Sequence, residues 1–449
     1  MKKLTRSMSA AALALAGLLT IASAPALAGT TKGKTVICYR LHNNKVQSKR
    51  VTDAKGTCPA GWSKHKPTPK KTTAPGSLQG SNKAGDIDLV VPGSATLAIN
   101  GSSFDAPMIG ATTSGSTAYS AGGKVSFSSY PAAGSGTGRA SIVNGSVNIG
   151  FSDQPMTPGA GTLPTGAVEA NYVQVPYILG GAVIGYNLGS GLNNIKLTSN
   201  ELAKIFDGTI TTWSNLAIIN TNGGLDSTTG KALQALGTSN AAANTIKVIY
   251  RNASSGTTYA FTDYLHQSGG SSHAPSGNVM EGSGNAWHAP NILGAANNAA
   301  MATDINANPG AIGYVEYSYL LIPGNAAIQT ASLQDRDGTW LQPSLTNIAA
   351  AGAAAGTNIT PDNFSIVNEG GKNVWPLATY SWAIVAKNQT NATTGEAVVK
   401  YLDWETHYAQ SALAKAEGYV PLPSAVAAYA RQQLELVTSG GTELLTLKS

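Results

Sequence analysis

Charge, cysteine and long apolar runs are all scarce in this sequence of 449 residues. Asp, Glu, Lys and Arg together make up 12% and aromatics 7%, while 51 positions are Gly. Low charge with abundant Gly and Ala fits a secreted, β-containing protein better than a cytosolic enzyme. The six histidines, His42, His65, His266, His273, His288 and His407, form neither an HxH nor an HExxH spacing. That removes the usual metal-hydrolase patterns, so no metal, cofactor or catalytic residue is expected. Beyond the first 28 residues no stretch approaches the ~20 apolar residues of a bilayer span.

What is present begins with the N-terminus. Lys2, Lys3 and Arg6 precede an apolar run from Ala10 to Ile21, and Ala26-Leu27-Ala28 gives a small-residue cleavage pattern. Residues 1–28 therefore read as a signal peptide of an exported protein, periplasmic or extracellular. No cysteine stands at the cleavage point, so a lipid anchor is not expected. The only cysteines, Cys38 and Cys58, close a loop of about twenty residues. In an exported chain such a pair reads as a disulfide, adding roughly 3 kcal/mol in the chain-entropy model.

The net charge of +6 is unevenly spread. Of 29 basic and 23 acidic residues, the leader holds 3 and 0 and residues 29–75 hold 11 and 1, leaving 15 and 22 in 76–449. A basic cap thus precedes an acidic body. No nucleic-acid partner follows for the body, and the cap is a candidate contact for cell-wall polymer.

Residues 29–66 read as a small β module, with strands around Val36–Tyr39 and Val46–Val51 and a turn at Asn43-Asn44. Residues 67–85, rich in Pro, Gly, Ser, Thr and Lys, read as a linker. From Asp86 short apolar runs alternate with helical segments, which means α/β layers. Expected strands are 147–151, 183–187, 246–251, 311–317 and 382–387. A capping box at Thr198–Glu201 opens a helix through Phe206. Further helices are expected over 255–265 and 394–417, the latter stopped by Gly418. Segments 220–244 and 268–300 read as polar surface insertions.

Four short motifs carry the chemistry. They are Asn100–Pro107 (NGSSFDAP), Gly134–Gly138 (GSGTG), Ile149–Met156 (IGFSDQPM) and Arg251–Thr257 (RNASSGT). GSGTG lacks the Lys-Ser or Lys-Thr of a Walker loop. Singly each motif is a common turn; together they make an oxyanion site. Hydroxyl residues and Gly at strand-to-helix turns bare backbone N–H groups where the helix dipole favours an anion. Arg251 adds a planar fork. Asp153 fits only a ligand that brings a proton, which phosphate does near neutral pH and sulfate does not.

In this order the motifs resemble those of the phosphate-binding protein of the phosphate-specific ABC transporter, the PstS family, whose usual forms are GATFPAP, GSSGG or GSGAG, ASDAPL and RxDGSGTS. The likeness extends through Tyr172–Leu188, Leu202–Trp213, Pro309–Tyr317, Val374–Lys387 and Tyr401–Trp404. It implies a two-lobed periplasmic-binding-protein fold of type II with a hinge. Lobe I would comprise 86–183 and 381–449, and lobe II 184–380. It also implies a phosphate site made of Ser103, Phe104, Ser135, Asp153, Arg251, Ser255, Gly256 and Thr257. A monomer would deliver phosphate to ABC importer membrane subunits. Two departures stand out: Ser103 replaces the family's Thr, and Ala253 removes an acid usually close to the Arg. Rival readings are a secreted phosphatase, or a surface adhesin, using the same cradle.

Overall fold

The computed structural model describes residues 34–42, 45–53, 55, 57–58, 63–64, 86–157, 163–189, 191–270 and 287–446. The signal peptide 1–28, the linker 67–85 and residues 271–286 of the 268–300 insertion lie outside the described residues. The chain divides into two compact units, residues 1–69 and 70–449. Among the described residues no helix is long and apolar enough to cross a membrane.

In the first unit the strands Lys34–His42 and Lys45–Asp53 pair antiparallel, Cys38 opposite Lys49. A disulfide joins Cys38 to Cys58. A two-stranded ribbon has almost no interior of its own, so the covalent link supplies what a core cannot.

In the second unit seven strands lie side by side in the order Ile99–Gly101, Ile149–Ser152, Ala378–Ala386, Tyr172–Tyr186, Ala311–Glu316, Lys247–Arg251 and Ile292–Ala295, with Gln329–Thr330 added against Tyr172–Tyr186. The strand Tyr172–Tyr186 (YVQVPYILGGAVIGY) is the spine. It is almost wholly buried, as its near-continuous apolar sequence requires. Its first two thirds pair with Ala378–Ala386 and its last third with Ala311–Glu316. Two hydrophobic cores form along it. One gathers Leu97, Phe151, Val175, Val399 and Tyr401; the other gathers Ile184, Phe206, Trp213, Phe261 and Tyr314. Each large apolar side chain removed from water contributes about 1.5–3 kcal/mol, so both lobes are well provided.

Ala378–Ala386 changes register between Ser381 and Trp382, opposite Pro176. Proline has no N–H to give the ladder, and the shift leaves Tyr177, between Pro176 and Ile178, without a partner residue in the register. Helix starts follow local rules. Thr198 and Glu201 make both bonds of a capping box on Ser199–Phe206. Ser255 caps Gly256–Gln267 through Thr258 N, and Asn391 caps Ala392–Ala409.

Two expectations need correction. Segment 220–244 is largely helical, with Thr228–Ser239 and Ala241–Asn244, and part of 268–300 forms Ile292–Ala295 and the helix Asn298–Ala307. The Ser and Asn residues that look like loop composition are the caps: Asn215, Ser227, Asn240 and Asn297 each accept a backbone N–H. The helix expected over 394–417 ends at Ala409 and continues as a π turn, Gln410–Ala414. Gln410 explains the break. Its amide donates to Tyr177 O and Glu405 O, and its carbonyl accepts Leu422 N–H, tying the helix end to the sheet.

Candidate functional site

The four motifs converge where the two cores meet. Ser103 follows Ile99–Gly101, Ser135 opens the helix Ser135–Val143, Asp153 ends Ile149–Ser152, and Arg251 ends Lys247–Arg251 before the Gly256 helix. Parallel strands put these turns at one end of the sheet, so sequence-distant hydroxyls become neighbours. Ser103, Phe104, Ser135, Asp153, Arg251, Ser255 and Thr257 are all at most 2% exposed.

One cluster centres on Asp153. Its carboxylate accepts the hydroxyls of Ser135 at 3.3 Å and Ser381 at 3.0 Å, and that of Ser102. Ser135 Oγ in turn accepts the N–H of Asp153 at 3.2 Å and of Gly256 at 3.1 Å. A second cluster centres on Ser103. Its hydroxyl accepts Asn298 N and Nδ2 at 3.0 and 3.1 Å, and Asn298 Nδ2 also reaches Thr257 Oγ1 at 3.3 Å. Tyr319 and Tyr419 donate to the carbonyls of Ser103 and Phe104 at 2.7 and 2.6 Å. Phe104 N–H is engaged by Ser102 Oγ. Arg251 donates Nη1 to Ser255 Oγ at 2.9 Å and Nη2 to Ala296 O at 3.1 Å. Its buried Nε has no acceptor among the described residues. A buried guanidinium with an unfilled donor is poised to take another oxygen.

Glycine is needed at two of these turns. A Cβ on Gly256 would stand 2.5 Å from Asp153 Cβ, and Gly134, at φ 105°, would meet Ser254 O at 2.4 Å.

The electrostatics are unusual. Burial raises Asp153 from 3.8 to about 6, against the opposing pull of Ser102, Ser381, Arg251 and Ser135. Asp105, fully buried, is raised to about 7, first by desolvation and then by the Asp153 charge. Desolvation also lifts Glu316 well above its ordinary value. Burial draws the Arg251 guanidinium down, with Tyr314 and Asp153 opposing. The site therefore holds one buried cation amid several carboxyls, suited to an anion that carries its own proton.

Sequence reasoning missed Asn298, Ser381 and Asp105. Asn298 begins a helix just after a strand, the same arrangement as the four motifs, in Gly294-Ala-Ala-Asn-Asn298. Asp105 lies inside the first motif. Ser381 carried no local signal. Among the described residues no group of three or more His, Cys, Asp or Glu is placed to hold a metal.

Two lobes sharing crossing strands, with strand-end turns converging between them, define a two-lobed solute-binding protein. The sequence profile of the PBP superfamily domain matches residues 90–404. The chain is 31% identical over 325 residues to the phosphate-binding protein PstS of Xylella fastidiosa (strain 9a5c), covering 72% of this chain and 80% of that protein. It is 31% identical over 314 residues to the phosphate-binding protein PstS of Haemophilus influenzae, covering 70% and 84%. A phosphate-binding protein from Stenotrophomonas maltophilia shares the fold, with TM-score 0.53 and 22% identity over 75% of this chain and 93% of that one. Within that superfamily, the chain belongs to the PstS family of phosphate-binding proteins.

Proposed function

We propose that this protein captures inorganic phosphate between its lobes and delivers it to the membrane subunits of an ABC importer. The observation that carries this reading is the convergence of all four motifs at the lobe seam of a PstS-family chain. Ser103, Ser135, Ser255 and Thr257 supply hydroxyls, and Gly256 supplies a backbone N–H at a helix start. Phe104 supplies its N–H on exchanging Ser102 Oγ for a ligand oxygen. Arg251 turns its fork from Ser255 and Ala296 to the anion. Asp153 accepts the ligand's proton, so sulfate would set two like charges face to face.

In this reading lobe I is 86–183 with 381–449 and lobe II is 184–380, and ligand bridges them. Differential affinity for the closed arrangement couples binding to closure. Residues 1–28 direct export to the periplasm or cell surface without a lipid anchor. The Cys38–Cys58 module and linker form a basic cap for anionic cell-wall polymer, and the protein works as a monomer. The likeness to relatives named as phosphate-binding proteins supports binding over hydrolysis.

Titration of the purified chain with phosphate, sulfate and arsenate tests the reading. Phosphate is expected to bind in the micromolar range or tighter, about −8 kcal/mol or better, and sulfate far more weakly. Asp153→Asn, whose amide can donate, is expected to narrow that gap. Equal affinity of wild type for phosphate and sulfate would overturn the assignment.

A further inference from the structure

Behind Asp153 lies a second buried carboxyl, Asp105, and between them a single hydroxyl. Ser381 Oγ is 2.8 Å from Asp105 Oδ2 and 3.0 Å from Asp153 Oδ1. A serine has one O–H, so only one of these oxygens receives its hydrogen. The other contact needs a proton from a carboxyl.

Counting hydrogens says which carboxyl. Asp153 has the hydroxyls of Ser102, Ser135 and Ser381 aimed at it. Asp105 is contacted by Tyr177, Tyr130 and Ser381. Tyr177 gives its hydrogen to Asp105 Oδ2. Tyr130 is 2.6 Å from Ser102 O, an acceptor with no hydrogen of its own, so its single hydrogen goes there. Its 3.0 Å contact with Asp105 Oδ1 is then without a hydrogen. Asp105 is thus the group short of hydrogens and Asp153 the group with enough.

Resting on the phosphate reading above, we propose that Asp105 carries the resident proton of the site and acts as a positioning residue, leaving the Ser381 hydrogen for Asp153 and so holding Asp153 ionised to accept the proton of bound phosphate. The Asp105 proton sits on Oδ2 and is donated to Ser381 Oγ, which leaves the Ser381 hydrogen for Asp153. Burial raises both carboxyls, and the Asp153 charge raises Asp105 further. Ser381 lies at the register shift of its strand, across from Ile178. The remaining titratable groups facing Asp105 are Tyr319, Tyr401, Tyr419 and Glu405. The tyrosines, like Tyr130 and Tyr177, are raised by burial, and burial raises Glu405 in the same direction. Asp153 also faces Arg251 and Glu316.

When Asp105 ionises, a buried negative charge competes for Ser381 and opposes the anion. The affinity of wild type for phosphate, divided by that of Asp105→Asn at the same pH, cancels the titration of phosphate itself. That ratio is expected to fall roughly tenfold between about pH 6 and about pH 8, the size of one proton's linkage. Asp105→Ala, which cannot donate at all, is expected to bind about tenfold or more weakly at every pH. Ser381→Ala tests the relay independently and is expected to reduce the preference for phosphate over sulfate. Infrared difference spectra of the ligand-free chain locate the proton: the protonated-carboxyl band is expected to diminish in Asp105→Asn and not in Asp153→Asn. Parallel pH profiles, unchanged selectivity in Ser381→Ala, or loss of the band in Asp153→Asn instead would each overturn the proposal. Wild type that binds no phosphate would overturn the functional reading and the positioning role with it, while the infrared comparison would still decide where the proton sits.

Discussion

Gly256 donates its backbone N–H to Ser135 Oγ across 3.1 Å, joining two turns that lie 121 residues apart in the chain. The same atom of Ser135 holds Asp153 N–H and points its own hydrogen at the Asp153 carboxylate. A helix start on one side is therefore keyed directly into the acid on the other. No side chain fits between them, since a Cβ at Gly256 would lie 2.5 Å from Asp153 Cβ and 2.8 Å from Ser135 Oγ.

Gly256→Ala should therefore hold the lobes apart while each core stays intact. Phosphate affinity is expected to fall at least about tenfold, the cost of roughly one hydrogen bond to a charged group. The thermal melt without ligand should stay near that of wild type, because Ala suits a helix first turn. Wild-type affinity in this variant would show that the lobes do not close through this contact.

Arg251 separates charge from geometry. Arg251→Lys keeps the cation and loses the planar fork, so phosphate binding should weaken clearly. Arg251→Ala should weaken it further, by about a hundredfold for two charge-assisted hydrogen bonds. Titration with labelled phosphate measures both, and wild-type binding by Arg251→Ala would remove the second lobe's turn from the site.

A second buried arginine, Arg431, lies in an ion-pair cluster with Asp403 and Asp86. Arg431 is 2% exposed, makes a two-pronged pair with Asp403 at 2.8 and 3.0 Å, and reaches Asp86 at 2.9 Å. It fastens the start of the body to the helices Ala392–Ala409 and Ser424–Leu434. Removing one partner of such a pair leaves a buried charge, at about 3–5 kcal/mol. Arg431→Ala should lower the urea midpoint accordingly, with phosphate affinity of the folded fraction unchanged. A variant as stable as wild type would show the pair to be dispensable.

The ligand-free protein should also be more stable in mild acid than at slightly basic pH. Asp153 and Asp105 titrate at about 6 and about 7 in the fold, against 3.8 ordinarily. The folded chain thus keeps protons that the unfolded chain releases. That contribution is complete below the ordinary carboxyl value and is lost as pH climbs through about 6 and then about 7. The melting temperature should rise as pH is lowered from about 8 to about 5, and Asp105→Asn should flatten part of the slope. An unchanged or inverted profile would contradict the raised carboxyls.

Legibility in the sequence followed the range of the interaction. The capping box at Thr198–Glu201 and the apolar run of Tyr172–Tyr186 are local and could be read directly. The N-cap roles of Ser227 and Asn240 were hidden because the same residue types fill loops; Ser227 is marked by the buried Leu233 and Leu236 that follow it, and Asn240, before the short Ala241–Asn244, has no such mark. Ser381 could not be found, because its partners Asp105 and Asp153 lie 276 and 228 residues away in the chain. Asp105 and Asp153 were visible in separate motifs, but two carboxyls sharing one serine is a relationship that exists only after the strands are assembled.

The middle place of Ala378–Ala386 in the sheet bears on the order of assembly. Ile149–Ser152 and Tyr172–Tyr186 are near one another along the chain, yet they never touch as strands; the gap between them is filled from far downstream. A nascent chain that stops short of Ala378 has both flanking strands with open edges and nothing to join them, so the half of the molecule made first is the half that must wait. Pairing that depends on so distant a segment comes late in folding.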